Sequence, residues 1–555
     1  MTTKTAKYYI LDIETTLDAG TIHCVVCKDV ETGEVFAFTD RSMFRRWLWN
    51  DEDKLFIGHN IIGFDAPVIR KVWGYTINVT HDTLVMSRLY DPSMDGGHSL
   101  SAWGDRLNFP KGDNTAPGFF DQYSETMLAY CINDVELTHQ LFNHLNDKLL
   151  TFSTRSQDLE HDVAKIIQTQ VENGFKLDVD KASFLLNDWE MELEVIHDKL
   201  VATFEPTVKV MKTKTKLIPF NPGSRDQIAE RLMRRGWKPT KLTPTGKPVV
   251  DDEALKDVKI PEAQQIYRYM LLQKRIAQVF SWLEAADSNG VVHGKVITNG
   301  AVTGRMTHHS PNMAQVPASY SPYGKECREC WIARPGYVLV GIDASGLELR
   351  MLAHYMNDPA YTETVINGKK EDGSDIHSVN MRAAGLPDRD TAKTFIYAFL
   401  YGAGAAKIGS IIGGSAADGR ALIDKFLDAT PALQRLKNKV SIIAKRYDSS
   451  LPGLDGRLLR VRSEHSALNT LLQGAGAIVM KQALVIFEKL LKSYRIEFRF
   501  VANVHDEWQL EVPEVHAKFV GELGQRAIRQ AGGVLQLRCP LDGDFAIGRD
   551  WSQTH

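Results

Sequence analysis

The sequence lacks the features that mark a membrane or secreted protein. No apolar run reaches the roughly 18 residues that cross a membrane, and the segment 1–7 carries lysines and threonines in place of an apolar signal core. An arginine-rich, acid-poor transit segment is also missing from the start of the chain. We therefore expect no membrane partner and a place in the cytoplasm.

Cysteine is scarce, with 6 in 555 residues, which excludes a disulfide-rich scaffold. The close pairs Cys24/Cys27 and Cys327/Cys330 have a spacing that also suits thiolate metal ligands or a disulfide. However, the pairs are far apart in the chain, no histidine cluster joins them, and Cys24 lies in an apolar, strand-like segment where cysteine packs as a small hydrophobic residue. The sequence favours buried free thiols in a reducing compartment.

An excess of charge of either sign is absent as well, because 69 acidic residues oppose 66 basic ones, for a formal net charge of −3. Such a total neither indicates nor excludes a nucleic-acid partner, since phosphate binding needs only a local basic surface. The remaining composition, 43% hydrophobic and 24% charged, is that of a globular protein, and 555 residues exceed what one core supports. We expect two or more domains.

The first strand-like segment, residues 8–14, carries two carboxylates, Asp12 and Glu14. Alternate residues of a strand point to the same face, so these side chains lie together. Each alone is well explained as a solvated carboxylate, but two like charges side by side in a sheet are costly unless cations lie between them. The pair therefore predicts a divalent-metal site.

Two later segments supply further carboxylates and a tyrosine that could complete this metal site. A strand-like run over residues 54–58 is followed closely by Asp65, and a helical pattern over residues 126–145 places Tyr130 and Asp134 one turn apart. Together with Asp12 and Glu14, these carboxylates suffice to hold two divalent ions that hydrolyse a phosphodiester, with Tyr130 orienting the attacking water.

The ordered set Asp-x-Glu, Asn-x3-Phe-Asp and Tyr-x3-Asp resembles the proofreading 3′–5′ exonuclease domains of DNA polymerases, with all four acids in place. The resemblance implies an RNase H-like α/β fold for residues 1–150 and removal of mismatched 3′ ends.

The middle of the chain is predicted to be helical over residues 156–200, 224–236 and 260–285. Between the first two regions lies the clearest local basic run. It is either a solvated loop or a contact to a nucleic-acid backbone, which salt would weaken. Its lysines are Lys209, Lys212, Lys214 and Lys216.

Asp343 follows an apolar run rich in β-branched residues, 338–342, that is typical of a buried strand. It either caps the helix that follows, as aspartate often does, or belongs to a site. Asp506, within the strand-like segment 500–510, is either an acid in a turn between two strands or a partner of Asp343. If both are buried close together they need cations, and two metals bridged by two aspartates can activate a primer 3′ hydroxyl and neutralise the departing pyrophosphate.

A helix predicted to begin after Asp388 carries a stripe of residues four positions apart, namely Arg389, Lys393, Tyr397 and Tyr401. Two cations near the positive helix N-terminus, followed by two rings, suit the phosphates, sugar and base of a nucleoside triphosphate. An exposed helix with incidental charges is the alternative.

Two further features come near the end of the chain. An Asp-Gly turn within residues 453–462 predicts a hairpin whose arginines, Arg457, Arg460 and Arg462, can grip phosphates. Beyond it, Asn469 and Gln473 lie one turn apart on a helix, polar among apolar neighbours.

Four ordered motifs resemble the family A DNA polymerases, those similar to bacterial polymerase I. The segments 391–404 and 465–473 are most similar to the replicative polymerases of T-seven-type bacteriophages, and the resemblance covers nearly the whole chain. It implies DNA synthesis from dNTPs on primer–template DNA, with proofreading. The motifs are Thr303-Gly-Arg305, Asp343-x4-Glu348, Arg389-x3-Lys393-x7-Tyr401-Gly402 and His505-Asp506-Glu507.

The resemblance implies a role for each matched residue. Asp343 and Asp506 become the palm metal ligands, Tyr397 lies by the sugar, Tyr401 lies at the templating cleft, and Glu348 is the steric gate that excludes a ribose 2′ hydroxyl. The residues expected at the triphosphate are Arg389, Lys393 and His377, and those expected at the primer, template or nascent pair are Arg305, Asn469, Gln473 and His505.

The implied fold is an α/β multidomain protein, with the RNase H-like exonuclease domain over residues 1–150 and a right-hand polymerase with an antiparallel palm sheet over residues 151–555. We expect the thumb at about 156–300, the fingers at about 361–449, and the palm at about 301–360 and 450–555. The expected cofactor is Mg²⁺, or alternatively Mn²⁺, with two ions in each site.

The sequence departs from the family pattern at two places. No 5′ nuclease domain fits ahead of the exonuclease, and a short lysine-bearing connection stands where T-seven-type enzymes have a long thumb insertion that recruits host thioredoxin. We therefore do not expect thioredoxin as a partner. The expected partners are primer–template DNA and dNTPs, with a phage helicase-primase and a single-stranded DNA-binding protein as candidates, in the cytoplasm of a bacterial host.

Three rival functions remain open at this point. A phage-type single-subunit RNA polymerase shares the palm aspartates and the Arg/Lys helix, but the exonuclease domain and Glu348 count against it. A stand-alone repair nuclease conflicts with the intact Asp343, Arg389 and Lys393. A structural replication protein would have to keep the carboxylates together without metals, which is costly.

Overall fold

The computed structural model describes residues 6–50, 53–210 and 215–554. The chain forms two compact units. The first comprises Met1–Asn173, Val296–His308 and Val340–Ala546, and the second comprises Gly174–Lys295, His309–Leu339 and Ile547–His555. Lys212 and Lys214 of the basic run lie outside the described residues.

The first unit begins with a mixed five-stranded sheet flanked by helices. Its strands are β1 (Lys7–Thr15), β2 (Ile22–Asp29), β3 (Val35–Phe38), β4 (Lys54–Gly58) and β5 (Val79–Asp82). Their order is β3-β2-β1-β4-β5, with β1, β2 and β3 antiparallel and β4 and β5 added in parallel. The helices are α1 (Arg41–Leu48), α2 (Asp65–Val68), α3 (Thr83–Tyr90), α4 (Leu100–Leu107), α5 (Glu125–Lys148) and, after the sheet region, α6 (Thr154–Asn173). The α/β fold predicted for residues 1–150 is confirmed.

Alternate residues of β1 enter two separate hydrophobic cores, one on each face of the sheet. Leu11 and Ile13 pack into the core that includes α1, whereas Ile10 packs into the core that includes α5. Because strand side chains alternate, Asp12 and Glu14 lie on the Ile10 face. The sheet thus directs both carboxylates toward α5.

The second unit is mostly helical, with a three-stranded sheet in the order β12-β6-β9 and a β7–β8 hairpin. The predicted helix over residues 156–200 is in fact two helices, because Gly174 takes a left-handed φ of 61° and the chain continues into a strand. The elements of the middle of the chain are β6 (Phe175–Leu177), α7 (Val179–Thr203), β7 (Thr207–Val210), β8 (Thr215–Ile218), α8 (Arg225–Arg234), α9 (Asp252–Leu255), α10 (Pro261–Ala285), β9 (Val291–Val292), β10 (Lys295–Ile297), β11 (Thr307–His309), α11 (Gly324–Glu329) and β12 (Trp331–Ile332).

The last part of the chain contains a four-stranded sheet in the order β16-β17-β13-β18, backed by long helices. β16 and β17 form an antiparallel hairpin. The elements are β13 (Tyr337–Ala344), α12 (Leu347–Met356), α13 (Pro359–Asn367), α14 (Ile376–Ala384), α15 (Arg389–Leu400), α16 (Ala405–Ile411), α17 (Ala416–Ala429), α18 (Pro431–Arg446), β14 (Ser450–Pro452), β15 (Leu458–Arg460), α19 (Ala467–Ser493), β16 (Arg499–Val504), β17 (Glu507–Pro513), α20 (Ala517–Val534) and β18 (Gly543–Gly548).

One helical stretch, Glu464–Ser493, is apolar and long enough to cross a membrane, with a mean hydropathy of 1.5. The sequence-based statement that no such stretch exists was therefore wrong. In this protein 78% of its apolar window is buried, and α19 packs against α6, α12 and α20. A helix that is apolar all round and enclosed by other helices is typical of a protein core.

The boundaries predicted for the thumb, palm and fingers stay predictions. Within the first unit α6, which begins near the predicted start of the thumb, packs against α19 and β16. β16 leads into the turn that carries Asp506.

Candidate functional site

The four carboxylates predicted near the start of the chain lie together. Asp12 and Glu14 lie on β1, Asp65 begins α2, and Asp134 lies on α5. The backbone N–H of Ile13, between the first two acids, donates to Asp65 Oδ1 at 3.2 Å. Local sequence patterns placed each acid on its element, and the sheet with α5 joins them.

Burial and mutual repulsion oppose the ionisation of the carboxylates in this cluster. Burial, followed by the charges of Asp12 and Asp134, raises the pKa of Glu14 to about 9. Burial and Asp134 raise the pKa of Asp12, and burial and Asp12 raise that of Asp65. Carboxylates that disfavour one another's ionised form this strongly are suited to bind divalent cations.

Lys111 is a member of this cluster that the sequence did not reveal. Its Nζ lies 2.8 Å from Asp134 Oδ2 and 5.0 Å from the centre of the Tyr130 ring. Asn114, from the same loop, donates to the Tyr130 hydroxyl at 3.0 Å. The loop between α4 and α5 has no periodic pattern, so nothing in the sequence pointed to it.

Thiols also adjoin the carboxylates. Cys131 Sγ lies 3.5 Å from Asp12 Oδ2, and ligand atoms of Asp12, Glu14 and Cys131 all lie within 4.8 Å of one another. Cys24 is paired across the sheet with Glu14. All six cysteines of the chain are buried and free, as the sequence predicted.

The residues present fit divalent ions. Asp134 Oδ1 is buried and has no hydrogen-bond partner, and Lys111 is the cation paired with Asp134. An unpartnered carboxylate oxygen among three other acids is a favourable position for a metal.

Asp343 and Asp506 are brought together by the second sheet. Asp343 lies within β13 and does not cap α12, whose N-cap is Gly346 with a left-handed φ of 59°. Asp506 lies in the two-residue turn between β16 and β17, as one of the two alternatives from the sequence had it. The backbone N–H of Ala344 nevertheless donates to the Asp506 carbonyl at 3.1 Å, which joins the two segments.

A carboxylate, a cation and a phenol meet beside Asp506. Glu348 Oε1 accepts from the Arg305 guanidinium at 3.0 Å and from the Tyr401 hydroxyl at 2.9 Å. Burial, followed by the nearby Glu348 charge, raises the pKa of Asp506 to about 6. Glu348 is thus held in one orientation by side chains from two distant parts of the chain.

An open cleft of about 350 Å³ gathers most of the residues predicted from the family motifs. The Tyr397 and Tyr401 rings stack 6.3 Å apart at 24°, and three of the four residues of the stripe, Lys393, Tyr397 and Tyr401, line this cleft. The cleft is lined by Arg305, Glu348, Lys393, Tyr397, Tyr401, His505 and Asp506.

The cations at the start of α15 differ in their surroundings. Arg389 pairs with Asp375 at 3.0 Å, and the same carboxylate accepts from Ser378. Burial opposes ionisation of Asp375, but these two donors hold its pKa at about 2. Lys393 is exposed and, within the part of the chain that the structure describes, forms no ion pair. His377 packs against Tyr397 with ring centres 5.9 Å apart.

The predicted hairpin exists, with the Asp455-Gly456 turn joining β14 and β15, but Arg457 does not serve as a phosphate contact. It is 2% exposed, and its guanidinium donates to Glu160 at 2.5 Å and to Asp455 at 2.6 Å. Lys481 donates to the same Glu160 oxygen at 2.6 Å. This buried group of four charges, the Arg457 network, links the hairpin to α6 and α19.

The other predicted DNA contacts lie at the surface or beside the cleft. Arg462 is exposed, and the Arg460 guanidinium lies 5.9 Å from the Tyr90 ring. Asn469 lies beside Gly402, which ends α15, and its Oδ1 is buried without a partner. Gln473 follows one turn later on α19 and is half-buried.

Similarity to known proteins extends over most of the chain. A family model described as DNA polymerase family A matches residues 191–553, and one described as 3′-5′ exonuclease matches residues 2–150. The chain is 32% identical to the DNA-directed DNA polymerase of Enterobacteria phage T3 and 33% identical to that of Escherichia phage T7, in each case over 96% of this chain and 97% of the relative. The two alignments span 694 and 695 positions, so these relatives carry residues that the chain of 555 lacks.

Among solved structures, the POL domain of Pol1 from M. smegmatis in complex with DNA primer-template and dNTP is similar with a TM-score of 0.82. The match covers 99% of this chain and 96% of that chain at 19% identity. This likeness shows the fold alone.

Proposed function

The chain belongs to DNA polymerase family A and carries a 3′–5′ exonuclease domain, and from this premise we propose that its two carboxylate sites act in opposite directions on one primer strand. The protein is a DNA-directed DNA polymerase. The cleft at Asp343 and Asp506 transfers nucleotides from dNTPs to a primer 3′ hydroxyl on a DNA template. The cluster at Asp12 removes mismatched 3′ nucleotides.

The observation that carries this proposal is the presence of two distinct groups of functional side chains on different elements of the chain. The acids of β1, α2 and α5 form one cluster, while the cleft unites residues from the 305 loop, α12, α15 and the β16–β17 turn. Chance would not assemble both sets in the family's order. A nuclease alone would not need Glu348, Lys393 and the stacked tyrosines in one cleft.

Enzymes with these two domains depend on divalent metal ions. We assign Mg²⁺, or alternatively Mn²⁺, with two ions held by the Asp12 cluster and two by Asp343 and Asp506. Bound ions activate the attacking oxygen and stabilise the leaving group. Tyr130, kept in place by Asn114, orients the water of the exonuclease reaction.

The nucleotide is bound along α15. Arg389, Lys393 and His377 contact the triphosphate, and the pairing with Asp375 keeps the Arg389 guanidinium in position. Tyr397 lies by the sugar and Tyr401 at the templating base. Glu348, fixed by Arg305 and Tyr401, occupies the space that a ribose 2′ hydroxyl would need, which selects DNA precursors over RNA precursors.

Primer–template DNA lies across the same cleft. We assign contacts to the primer, the template or the nascent pair to Arg305, Asn469, Gln473 and His505, and a backbone phosphate contact to the exposed Arg462. The unpartnered oxygen of Asn469 supports this assignment, because a buried polar atom without a partner is costly unless a ligand satisfies it.

Primer extension and 3′ end degradation by single variants test the proposal. Asp343→Ala is expected to lose extension and keep degradation, and Asp12→Ala is expected to do the reverse. Asp18→Ala, which removes a fully exposed carboxylate after β1, is the matched control and should change neither activity. Extension by a folded Asp343→Ala protein would contradict the assignment.

We further propose that the enzyme replicates phage DNA in the cytoplasm of a bacterial host, with a helicase-primase and a single-stranded DNA-binding protein as candidate partners. The shorter chain, relative to the two phage enzymes, supports the view that it works without thioredoxin. Primer-extension products that lengthen when thioredoxin is added would contradict this view.

A further inference from the structure

The outer face of α1 carries three arginines beside an exposed tryptophan. Arg41, Arg45 and Trp49 recur every four residues, Arg46 lies next to them, and all four are exposed. Trp49 is 60% exposed, which is unusual for a ring of this size in a chain with a complete core. The opposite face of α1 is anchored in the sheet core by Phe44.

These residues line an open groove of about 820 Å³, which we call the arginine–tryptophan groove, formed by Arg41, Ser42, Arg45, Arg46, Trp49 and Tyr75. The side chains that line the groove contact one another. The Arg41 guanidinium lies 5.2 Å from the Tyr75 ring and its Nε donates to the Tyr75 hydroxyl at 3.0 Å. The Arg45 guanidinium lies 4.9 Å from the Trp49 ring, and the Trp49 and Tyr75 rings meet edge to face at 5.5 Å.

Among the residues that the structure describes, 6–50, 53–210 and 215–554, no acidic side chain pairs with the arginines of the groove, Arg41, Arg45 and Arg46. Asp40 is adjacent but uses one oxygen to cap α1, accepting from Ser42 N and Met43 N at 2.9 Å. Three guanidinium groups on one short helix, without a carboxylate partner among the described residues and in a chain of net charge −3, favour an anionic ligand.

We propose that the arginine–tryptophan groove is a binding site for single-stranded nucleic acid. The guanidinium groups take successive phosphates, and the exposed Trp49 ring stacks on an unpaired base. The bases of a duplex are stacked on one another inside the helix, so they are not free to stack on the Trp49 ring. An acidic peptide would use the charges and leave the ring uncovered, so these observations favour the nucleic acid.

The groove is separate from the exonuclease cluster. α1 packs on the sheet face of Leu11, whereas Asp12 and Glu14 point toward α5 on the other face. A strand bound in the groove therefore lies on the opposite face of the sheet from the nuclease site. The proposal does not depend on the activity of either carboxylate site.

The contacts predict a measurable salt dependence. Neutralising a phosphate of a single strand contributes about −0.7 to the slope of log K against log salt, so three arginines contribute about −2. Removing two of them should make the slope shallower by about 1.4. Removing the stacking ring should weaken binding by at least about fivefold with little change in slope.

The test uses the full chain, saturated with a short hairpin primer–template so that other DNA sites are filled. Binding of labelled oligodeoxythymidylate and oligouridylate is followed by fluorescence anisotropy for wild type, Arg45→Ala/Arg46→Ala and Trp49→Ala. Lys518→Ala/Arg526→Ala, which removes two exposed cations from α20, is the matched control. The two oligonucleotides tell a DNA ligand from an RNA ligand.

We expect the double arginine variant to lose at least tenfold in affinity with the shallower slope, while the control matches wild type. An oligonucleotide with 5-iodouracil should cross-link to Trp49 or Tyr75. Equal affinity of the groove and control variants, or cross-links only elsewhere, would overturn the proposal. The proposal would also be overturned if the groove bound a polyglutamate peptide but not the oligonucleotide.

Discussion

Replacing Arg457 with methionine is expected to destabilise the protein by about 3–5 kcal/mol, the usual effect of removing one partner from a buried ion pair. In the wild type, Arg457 and Lys481 face Glu160 and Asp455, and all four side chains are at most 3% exposed. Without the guanidinium, Asp455 loses its ionic partner and Glu160 keeps only Lys481. Methionine refills much of the volume, so the loss comes chiefly from the unpaired charge.

The same substitution should leave DNA binding by the folded protein unchanged, because no phosphate can reach a buried guanidinium. Arg462→Ala, on the same hairpin but exposed, is the matched control. It should change stability by no more than about 0.5 kcal/mol and reduce the salt slope of duplex binding by about 0.9. Arg457→Met is therefore expected to lower stability without changing DNA binding, whereas Arg462→Ala is expected to weaken DNA binding with little change in stability.

Urea unfolding measures the stability of both variants, and duplex binding at several salt concentrations measures the slope. Asp455→Asn in the Arg457→Met background should recover part of the stability, since it removes the charge left unpaired. A stable Arg457→Met protein with weakened DNA binding would refute the burial argument and restore the role predicted from sequence.

Three further outcomes are expected. Lys111→Met should lower the Mg²⁺ concentration for half-maximal exonuclease activity at least about threefold, because the ammonium group beside Asp134 repels an incoming dication; an unchanged or higher Mg²⁺ requirement would contradict this. Burial lowers the pKa of His161 to about 4, so the unfolded chain binds a proton between pH 6.5 and 4 that the folded chain does not, and stability falls as pH drops through that window. His161→Gln should flatten this dependence in urea unfolding at pH 7 and 5, and an identical dependence would refute it. Glu348→Ala should raise ribonucleotide incorporation at least about tenfold relative to dNTPs in single-turnover assays, and unchanged selectivity would remove the gate assignment.

Much of the candidate site follows from the sequence because its chemistry restricts local patterns. The alternation of β1 places Asp12 and Glu14 on one face, and the structure confirms this. The helix that begins after Asp388 carries Tyr397 and Tyr401 on the face that meets the cleft. Such patterns depend on neighbours within a few residues, which the sequence displays directly.

Other features depend on contacts between distant parts of the chain. Arg457 looks like an exposed hairpin arginine until Glu160 and Lys481 enclose it. Lys111 comes from an aperiodic loop, and only the packing of β13 beside β17 brings the Asp506 turn next to Asp343.

The sequence by itself determined the two carboxylate sites and their family, since metal and phosphate chemistry requires particular residues in a particular order. Only the tertiary structure decided which charged residues are buried partners and which remain available to ligands. The physical reason is that burial and ion pairing are properties of the packed chain, and no local pattern records them.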